Sequence, residues 1–318
     1  MEKRYIGIDL GGTKIAAGLV DDNGNILKKV STPTLAYRPA EEIVDDMARL
    51  VKELCGEFSL SPSDIEFLGV GTPGIANTET GCVDFCSSLP FVRYPLVSVL
   101  KEKTGIADVD IENDANAAAK AEQVAGAAKG ARDAVMITLG TGVGGGVIIN
   151  NKIYSGCNFS AGELGHIVIQ KDGRECKCGR KGCWETYSSA TGLILTTREK
   201  MAIRRDSMMW TLCDNDLDKV NGRTAFTAMR AGDEAAKDVV DEYVDYLVCG
   251  LVNIINIFEP EVLVIGGGIS GEGDKLLDLI LAPALRQRYS ARSEKRTEIK
   301  IATLGNNAGI IGAAYLRK

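Results

Sequence analysis

The chain has 318 residues, of which 45% are hydrophobic and 25% are charged, and a formal net charge of -6. One hydrophobic core seldom keeps growing beyond about 250–300 residues, so this length predicts two lobes with a cleft between them. The acidic balance argues against a nucleic-acid or anionic-membrane surface. The sequence has no apolar run of the roughly eighteen residues that a transmembrane helix needs and no signal-peptide core, so we expect a cytoplasmic protein.

The first predicted elements are a strand, a glycine turn and a second strand. Residues 5–9 form a short apolar strand, which is interrupted by Leu10-Gly11-Gly12-Thr13-Lys14. Residues 15–20 form the second strand and lead to a turn at Asp22-Asn23-Gly24. This order predicts a β-hairpin with a glycine loop at one end.

The same order occurs again further along the chain. Residues 134–139 form an apolar strand that runs into a second glycine turn, residues 140–146. Residues 147–149 follow and end at a turn, Asn150-Asn151. An internal duplication of this kind predicts two lobes of like topology.

The other predicted elements alternate between helices and strands. We expect helices at residues 39–58, 115–123, 233–258, 274–289 and 308–316, and strands at residues 67–71, 109–111, 261–265 and 298–302. This alternation predicts an α/β fold with a mainly parallel sheet in each lobe. The expected lobes are residues 1–116 with 306–318 and residues 117–305, with hinges near Asn116 and Asn306. Residues 201–221 give no clear pattern.

The only histidine, His166, lies shortly before three closely spaced cysteines. Together they predict a tetrahedral Cys3His zinc site, with the ligands His166, Cys176, Cys178 and Cys183. Four protein ligands leave no open position for water, so the zinc would be structural and would fix a loop that carries Glu163 and Glu185. The alternative is that these cysteines are buried thiols or disulfide partners.

Three glycine clusters are candidates for nucleotide binding. The turns at residues 10–14 and 140–144 would direct backbone N–H groups at phosphate. Asp9 ends the strand before the first turn, where a carboxylate can orient water around a magnesium ion, although it can also cap the turn. Gly266-Gly267-Gly268 ends another strand, and ligands of open α/β sheets bind beyond such strand ends.

Polar residues at a further strand end are candidates for chemistry. Asn113 and Asp114 come directly before an alanine-rich helix. Asp114 is either the N-cap of that helix or a base that accepts the proton of an attacking hydroxyl, and the two roles are compatible. With Asn113, the carboxylates of Glu163 and Glu185 would suit the adjacent hydroxyls of a sugar.

Together these residues resemble the ROK family of bacterial sugar kinases and transcriptional repressors, within the hexokinase, actin and heat-shock ATPase superfamily. The resemblance rests on residues 9–14, 112–114 and 139–142, on Glu163-Leu164-Gly165-His166 with residues 176–185, and on residues 266–268. It implies two lobes of duplicated ribonuclease H-like topology around a central cleft, with a structural zinc loop.

The resemblance also implies roles for individual residues. Asp114 would be the catalytic base, and the sugar would be bound by Gly74, Asn113, Asp114, Glu163, His166 and Glu185. The phosphates of ATP and a magnesium ion would be bound by Asp9, Gly11, Gly12, Thr13, Lys14, Gly140, Thr141 and Gly142. The adenosine would lie against Gly266, Gly267 and Gly268, and zinc would be held by the four residues of the Cys3His set.

Within the family, two stretches are similar to the glucokinase branch: the one from residues 130–133 through the second glycine loop, and residues 186–192. This similarity implies ATP-dependent phosphorylation of glucose at its 6-hydroxyl, a step of glycolysis. We expect a homodimer or homotetramer, because closed symmetric oligomers are the usual default. A kinase for N-acetylmannosamine, N-acetylglucosamine or fructose is the alternative. A sugar-sensing repressor would need a DNA-binding domain ahead of Leu10, and we expect none.

Overall fold

The computed structural model describes residues 3–318, which form two compact units. Unit 1 contains residues 3–136, Gly146–Gly162 and Ala302–Lys318, and unit 2 contains Ile137–Gly145 and Glu163–Ile301. None of the helices in the described part of the chain has the length and apolar character to span a membrane.

Every strand and helix expected from the sequence has a counterpart in the described chain. The strands of the described chain are β1 (Tyr5–Leu10), β2 (Lys14–Val20), β3 (Ile26–Pro33), β4 (Phe67–Thr72), β5 (Ile75–Asn77), β6 (Cys82–Phe85), β7 (Val92–Tyr94), β8 (Val109–Asn113), β9 (Ala134–Leu139), β10 (Val143–Ile149), β11 (Lys152–Ile153), β12 (Val262–Gly266) and β13 (Glu298–Ile301). The α-helices are α1 (Ala40–Glu57), α2 (Leu96–Thr104), α3 (Asp114–Ala125), α4 (Glu185–Ser188), α5 (Ala190–Ile203), α6 (Met209–Leu212), α7 (Thr224–Arg230), α8 (Glu234–Phe258), α9 (Asp274–Gln287) and α10 (Ala308–Ala314).

The two larger sheets have the same strand order, which confirms the duplication. The first runs β3-β2-β1-β4-β8 and the second runs β11-β10-β9-β12-β13. The prediction of mainly parallel sheets is wrong, because β1, β2 and β3 pair antiparallel while β1, β4 and β8 pair parallel. In the second sheet β10 and β11 pair antiparallel while β12 and β13 pair parallel, so both sheets are mixed.

Side-chain alternation along β1 assigns its two faces to different helices. Ile6, Ile8 and Leu10 lie in a core cluster that includes the buried face of α1. Tyr5 lies in a second cluster with residues of α10. Because successive residues of a strand face opposite sides, Asp9 lies on the face that α10 covers.

Helix α10 approaches the first sheet at backbone distance. A Cβ on Gly7 would overlap the carbonyl oxygen of Ile310, and a Cβ on Gly312 would overlap that of Ala117 in α3. This close packing places the Gly- and Ala-rich last helix against the first sheet and against α3. Helix α3 belongs to unit 1, whose first segment extends to Met136, so the expected boundary after residue 116 falls inside that unit.

Several elements gave no signal that the sequence analysis recognised. These are the strands β3 and β11, the antiparallel sheet β5-β6-β7, helices α2 and α5, and the short helices α4, α6 and α7. The uninterpreted residues 201–221 contain the end of α5, the single turn of α6 and a short 3-10 helix, Leu217–Lys219. Such short elements offer too few turns for a periodic pattern to emerge.

Candidate active site

The carboxyl ends of β1, β4 and β8 bring Asp9 and Asp114 to one edge of the first sheet. Asp9 is the register partner of Gly71 in β4. A Cβ on Gly71 would lie 3.7 Å from the Cα of Asp114, the first residue of α3. The two carboxylates predicted to act on phosphate and sugar therefore flank the same glycine in unit 1.

The first glycine loop, between β1 and β2, is held from outside by Thr34. The Thr34 hydroxyl donates to the carbonyl oxygen of Gly11 at 2.6 Å, and its backbone N–H donates to that of Thr13 at 3.0 Å. Thr34 is completely buried. Gly12, Thr13 and Lys14 remain exposed, as a phosphate-binding loop requires.

Asp9 has a desolvated carboxylate. Burial raises its pKa, and the positive charges of Lys29 and Lys14 only partly oppose this. A Cβ on Gly309 in α10 would come within 2.6 Å of the Asp9 carboxyl carbon, so only glycine leaves the carboxylate room. Lys29 was not predicted from the sequence; its ammonium donates to Asn307 Oδ1 at 3.0 Å.

Asn113, and not Asp114, is the N-cap of α3. The Asn113 side-chain oxygen accepts from the backbone N–H groups of Ala115 and Asn116. Its amide group donates to the carbonyl oxygen of Gly74 at 3.2 Å, which joins two of the predicted sugar ligands. Because Asn113 holds the N-cap position, the interpretation of Asp114 as the N-cap is wrong. Asp114 is exposed, and its Oδ1 accepts from the backbone N–H of Ala115 at 2.8 Å.

The second glycine loop, between β9 and β10, is held in the same manner as the first. The Thr191 hydroxyl donates to the carbonyl oxygen of Thr141 at 2.7 Å, and the Ala190 N–H donates to that of Gly140 at 2.8 Å. In each loop a threonine from another segment thus binds a loop carbonyl. Ala190 and Thr191 lie in the segment that resembles the glucokinase branch.

Glu185 lies against the second glycine loop. Its Oε2 accepts from the backbone N–H of Val143 at 3.4 Å. A Cβ on Gly142 would come within 2.5 Å of the same oxygen, so the glycine permits this approach. Two predicted site residues, Gly142 and Glu185, are thereby brought together within unit 2.

The three cysteines and the histidine of the predicted metal site form one cluster. Cys176 Sγ lies 3.6 Å from His166 Nδ1, Cys178 Sγ lies 3.6 Å from Cys183 Sγ, and the four ligand atoms lie within 4.8 Å of one another. In a tetrahedral zinc site, with bonds of about 2.0–2.3 Å, ligand atoms are about 3.5–3.8 Å apart. The cluster could therefore hold one zinc ion, and all nine cysteines are free of disulfides.

Local backbone geometry gathers the cluster. Gly179 and Gly182 have φ angles of 87° and 78°, which side chains other than glycine rarely adopt. The N–H of Cys176 donates to the carbonyl oxygen of Arg180 at 2.9 Å and closes the turn.

Trp184 anchors the loop to α8. Its side chain is completely buried, and its indole N–H donates to the carbonyl oxygen of Tyr246. Its ring occupies the space above Gly250.

His166 lies between the two glutamates of unit 2. Its Nε2 is 3.9 Å from Glu163 Oε2, and its Nδ1 is 3.7 Å from Glu185 Oε1. Burial raises the pKa of Cys176 to about 12, and its thiol donates to Glu185 Oε1 at 3.1 Å. Glu163 is exposed, so the segment places one carboxylate toward solvent and one toward the glycine loop.

A cavity of about 510 Å³ lies at the end of β12 in unit 2. It is lined by Ala190, Gly268, Ile269, Gly271 and Glu272, together with Asn221, Gly222 and Arg223 from the chain before α7. A Cβ on Gly267 would crowd the backbone of Leu139 at the start of the second glycine loop. The predicted adenosine segment therefore adjoins that loop, and Asn221 to Arg223 are lining residues that the sequence did not indicate.

These features define a class of protein. Two sheets of equal strand order, each with a glycine loop after its first strand, form the α/β fold of ROK kinase structures. A ROK family glucokinase from Streptomyces griseus, solved in complex with glucose and AMPPNP, has a TM-score of 0.80 and 36% sequence identity, covering 98% of each chain.

The chain belongs to the ROK family, whose sequence model matches residues 5–318. The glucokinase of Streptomyces coelicolor is 38% identical over 98% of this chain and 97% of that protein. The N-acetyl-D-glucosamine kinase of Vibrio cholerae is 30% identical over 98% of this chain and 99% of that protein.

Proposed function

We propose that this protein transfers the γ-phosphoryl group of ATP to the 6-hydroxyl of glucose. The observation that carries the proposal is the likeness, over 98% of both chains, to a glucokinase whose structure holds glucose and AMPPNP. The higher identity to a glucokinase, 38%, than to an N-acetyl-D-glucosamine kinase, 30%, supports glucose over the amino sugar.

Asp114 is the proposed general base. It accepts the proton of the glucose 6-hydroxyl as the hydroxyl oxygen attacks the γ-phosphorus, and the bond to the β-phosphate oxygen breaks. Its exposed position at the first turn of α3, at the carboxyl end of β8 and next to the proposed sugar ligand Asn113, supports this role. The remaining sugar ligands are Gly74, Asn113, Glu163, His166 and Glu185.

The two glycine loops are the proposed phosphate sites. Gly11, Gly12, Thr13 and Lys14 in unit 1 and Gly140, Thr141 and Gly142 in unit 2 contact the phosphates of ATP, and the cavity at Gly268 takes the adenosine. Asp9 orients the hydration shell of magnesium, which when bound neutralises phosphate charge. The desolvated carboxylate of Asp9 suits this purpose, since burial strengthens its attraction for a cation.

Zinc is the proposed occupant of the Cys/His cluster. The donor set and the 3.6 Å separations match a closed tetrahedral site, in which the ion is structural. Reduced thiols are also typical of the cytoplasm, where we place the protein. We further propose that it is a homodimer or homotetramer and that its product enters glycolysis.

A hexose panel tests the proposal. With ATP and magnesium present, kcat/KM for glucose should exceed that for mannose and galactose by roughly tenfold or more, because an inverted hydroxyl leaves a carboxylate ligand without its partner. N-acetylglucosamine, N-acetylmannosamine and fructose complete the panel. A higher kcat/KM for any of them would replace glucose as the substrate.

A further inference from the structure

Glu112 is a buried carboxylate to which the proposed chemistry assigns no part. It is the second-last residue of β8 and is only 6% exposed. Its Oε1 accepts from the Asn113 backbone N–H at 2.9 Å and from Asn116 Nδ2 at 3.0 Å, and its Oε2 accepts from the Ser155 hydroxyl at 3.3 Å. Burial raises the pKa of Glu112, and these three donors oppose that effect.

The donors to Oε1 lie on either side of Asp114. Asn113 precedes it, and Asn116 is in the same first turn of α3, so a single oxygen binds both ends of the turn that carries the proposed base. The arrangement has a cost: Asn116 turns its amide group toward Glu112, and its buried Oδ1 has no hydrogen-bond partner among the described residues. An apolar residue at position 112 would avoid burying a carboxylate altogether.

Ser155 ties the same carboxylate to a second segment of unit 1. The Ser155 carbonyl oxygen accepts from the Ala161 N–H at 2.9 Å, which closes the loop after β11. Glu112 thereby joins the β8-α3 junction to this loop, which leads along the chain to Glu163.

We propose that Glu112 is a positioning residue, whose carboxylate fixes the β8-α3 turn so that Asn113 and Asp114 are held in the geometry for glucose binding and proton transfer. The inference rests on the proposed function, because it presumes that Asp114 accepts the hydroxyl proton. A misplacement of about 1 Å near reacting atoms can lower a rate about a hundredfold. Loss of the hydrogen bonds that Glu112 accepts should therefore lower the rate of phosphoryl transfer strongly.

Asp21 supplies a matched control. It is 7% exposed and likewise accepts from backbone N–H groups, those of Asn23 and Asn25, and from the Asn25 side-chain amide, each at 2.9 Å. It follows β2 at Val20, the register partner of Tyr5 at the start of β1, so it lies at the opposite edge of the sheet from Asp114.

The test compares Glu112→Ala, Glu112→Asp, Glu112→Gln and Asp21→Ala in glucose kinetics, well below each variant's melting temperature. Glu112→Ala should lower kcat/KM about thirtyfold or more, and Glu112→Asp, which keeps the charge but retracts it by one methylene, should be intermediate. Glu112→Gln should stay within about threefold of wild type, because its oxygen still accepts from Asn113 and Asn116 and its amide donates to Ser155. Asp21→Ala should lose stability but keep kcat and KM.

Wild-type kinetics in both Glu112→Ala and Glu112→Asp would overturn the inference, as would an equal loss of activity in Asp21→Ala. Amide hydrogen exchange across residues 109–119 gives a readout that needs no activity: Asn113 should exchange faster in Glu112→Ala than in Glu112→Gln. Equal exchange would also overturn it. A wild-type protein that phosphorylates no hexose but shows this exchange difference would instead overturn the proposed function.

Discussion

Single side chains at the edge of the first sheet carry the proposed chemistry, and the sequence indicated most of them. Asp9 and Asp114 each follow a short apolar strand, and strand ends at one edge of a sheet bring such residues together. Lys29 and Thr34 were missed because their roles depend on contacts between segments that are distant in sequence, and Glu112 was missed because its burial is not visible in a sequence. A buried carboxylate and an ordinary strand-end glutamate look alike in a sequence.

Asp114→Asn should lower turnover by at least about a hundredfold, because asparagine cannot accept the hydroxyl proton. The fold should persist, since Asn113 caps α3 and an asparagine oxygen can replace Asp114 Oδ1 as the acceptor of the Ala115 N–H. Single-turnover phosphorylation of glucose, with thermal melting as the control, measures both effects. Turnover near that of wild type would remove Asp114 from the role of base.

Asp9→Asn should raise the melting temperature at neutral pH while lowering kcat/KM by on the order of a hundredfold. The pKa of Asp9 is raised by burial, so its ionised form destabilises the fold at pH values above the folded-state pKa. This destabilisation by ionised Asp9 becomes smaller as the pH falls from the folded-state pKa toward the ordinary value of 3.8. Below pH 3.8 the melting temperature of Asp9→Asn should no longer exceed that of the wild type.

Calorimetry without nucleotide or magnesium, at pH 7 and at an acid pH that the protein tolerates, checks the sign of this effect. A lower melting temperature at pH 7 would mean that attraction to Lys29 and Lys14 outweighs the burial of the carboxylate.

At the scale of elements, long periodic segments were predictable and short ones were not. Helix α8 shows its apolar spacing over 25 residues, whereas α6 has 4 residues and offers no repeat. The metal loop was predictable without any periodicity, because ligand types and their spacing specify it directly. Its contact with α8 through Trp184 depends on Gly250, which is too distant in sequence to be paired with it by inspection.

Substitutions at two glycines of the metal loop distinguish the effect of backbone strain from that of steric overlap. Gly179→Ala should cost only about 1–2 kcal/mol, because its φ is positive but nothing lies within 4 Å of an added Cβ. Gly182→Ala adds an overlap with the carbonyl oxygen of Gln170, so it should displace Cys183 and weaken zinc binding by about tenfold or more.

Metal analysis after dialysis against a graded chelator, together with melting temperatures, distinguishes the two variants. Equal zinc retention in both would show that the loop adapts to the overlap, and loss of zinc in Gly179→Ala would show that strain alone disrupts the site.

For the whole molecule, the repeated order of strand, glycine turn and strand predicted two lobes of like topology. The two larger sheets share one strand order, because a duplicated topology preserves its strand connections. The unit boundaries were less predictable. Residues 306–318 were expected in the first lobe from the sequence, but the return of Gly146–Gly162 to unit 1 was not predicted, because packing between segments distant in sequence makes that return. Gly146, where an added Cβ would lie 2.6 Å from the carbonyl oxygen of Ala115, indicates this return only once the structure is known.

Glucose should stabilise the whole folded chain, by about 2.7 kcal/mol at a concentration of one hundred times Kd. If sugar ligands come from both units, as proposed, Asn113→Ser in unit 1 and Glu163→Gln in unit 2 should each reduce the rise in melting temperature that glucose produces. Serine is chosen because it still caps α3, so the free protein is little altered. Asp114→Asn should keep the full rise, since it removes proton transfer and retains a polar group of the same shape. A rise that survives Asn113→Ser but not Glu163→Gln would assign glucose binding to unit 2 and would remove Asn113 from the sugar ligands.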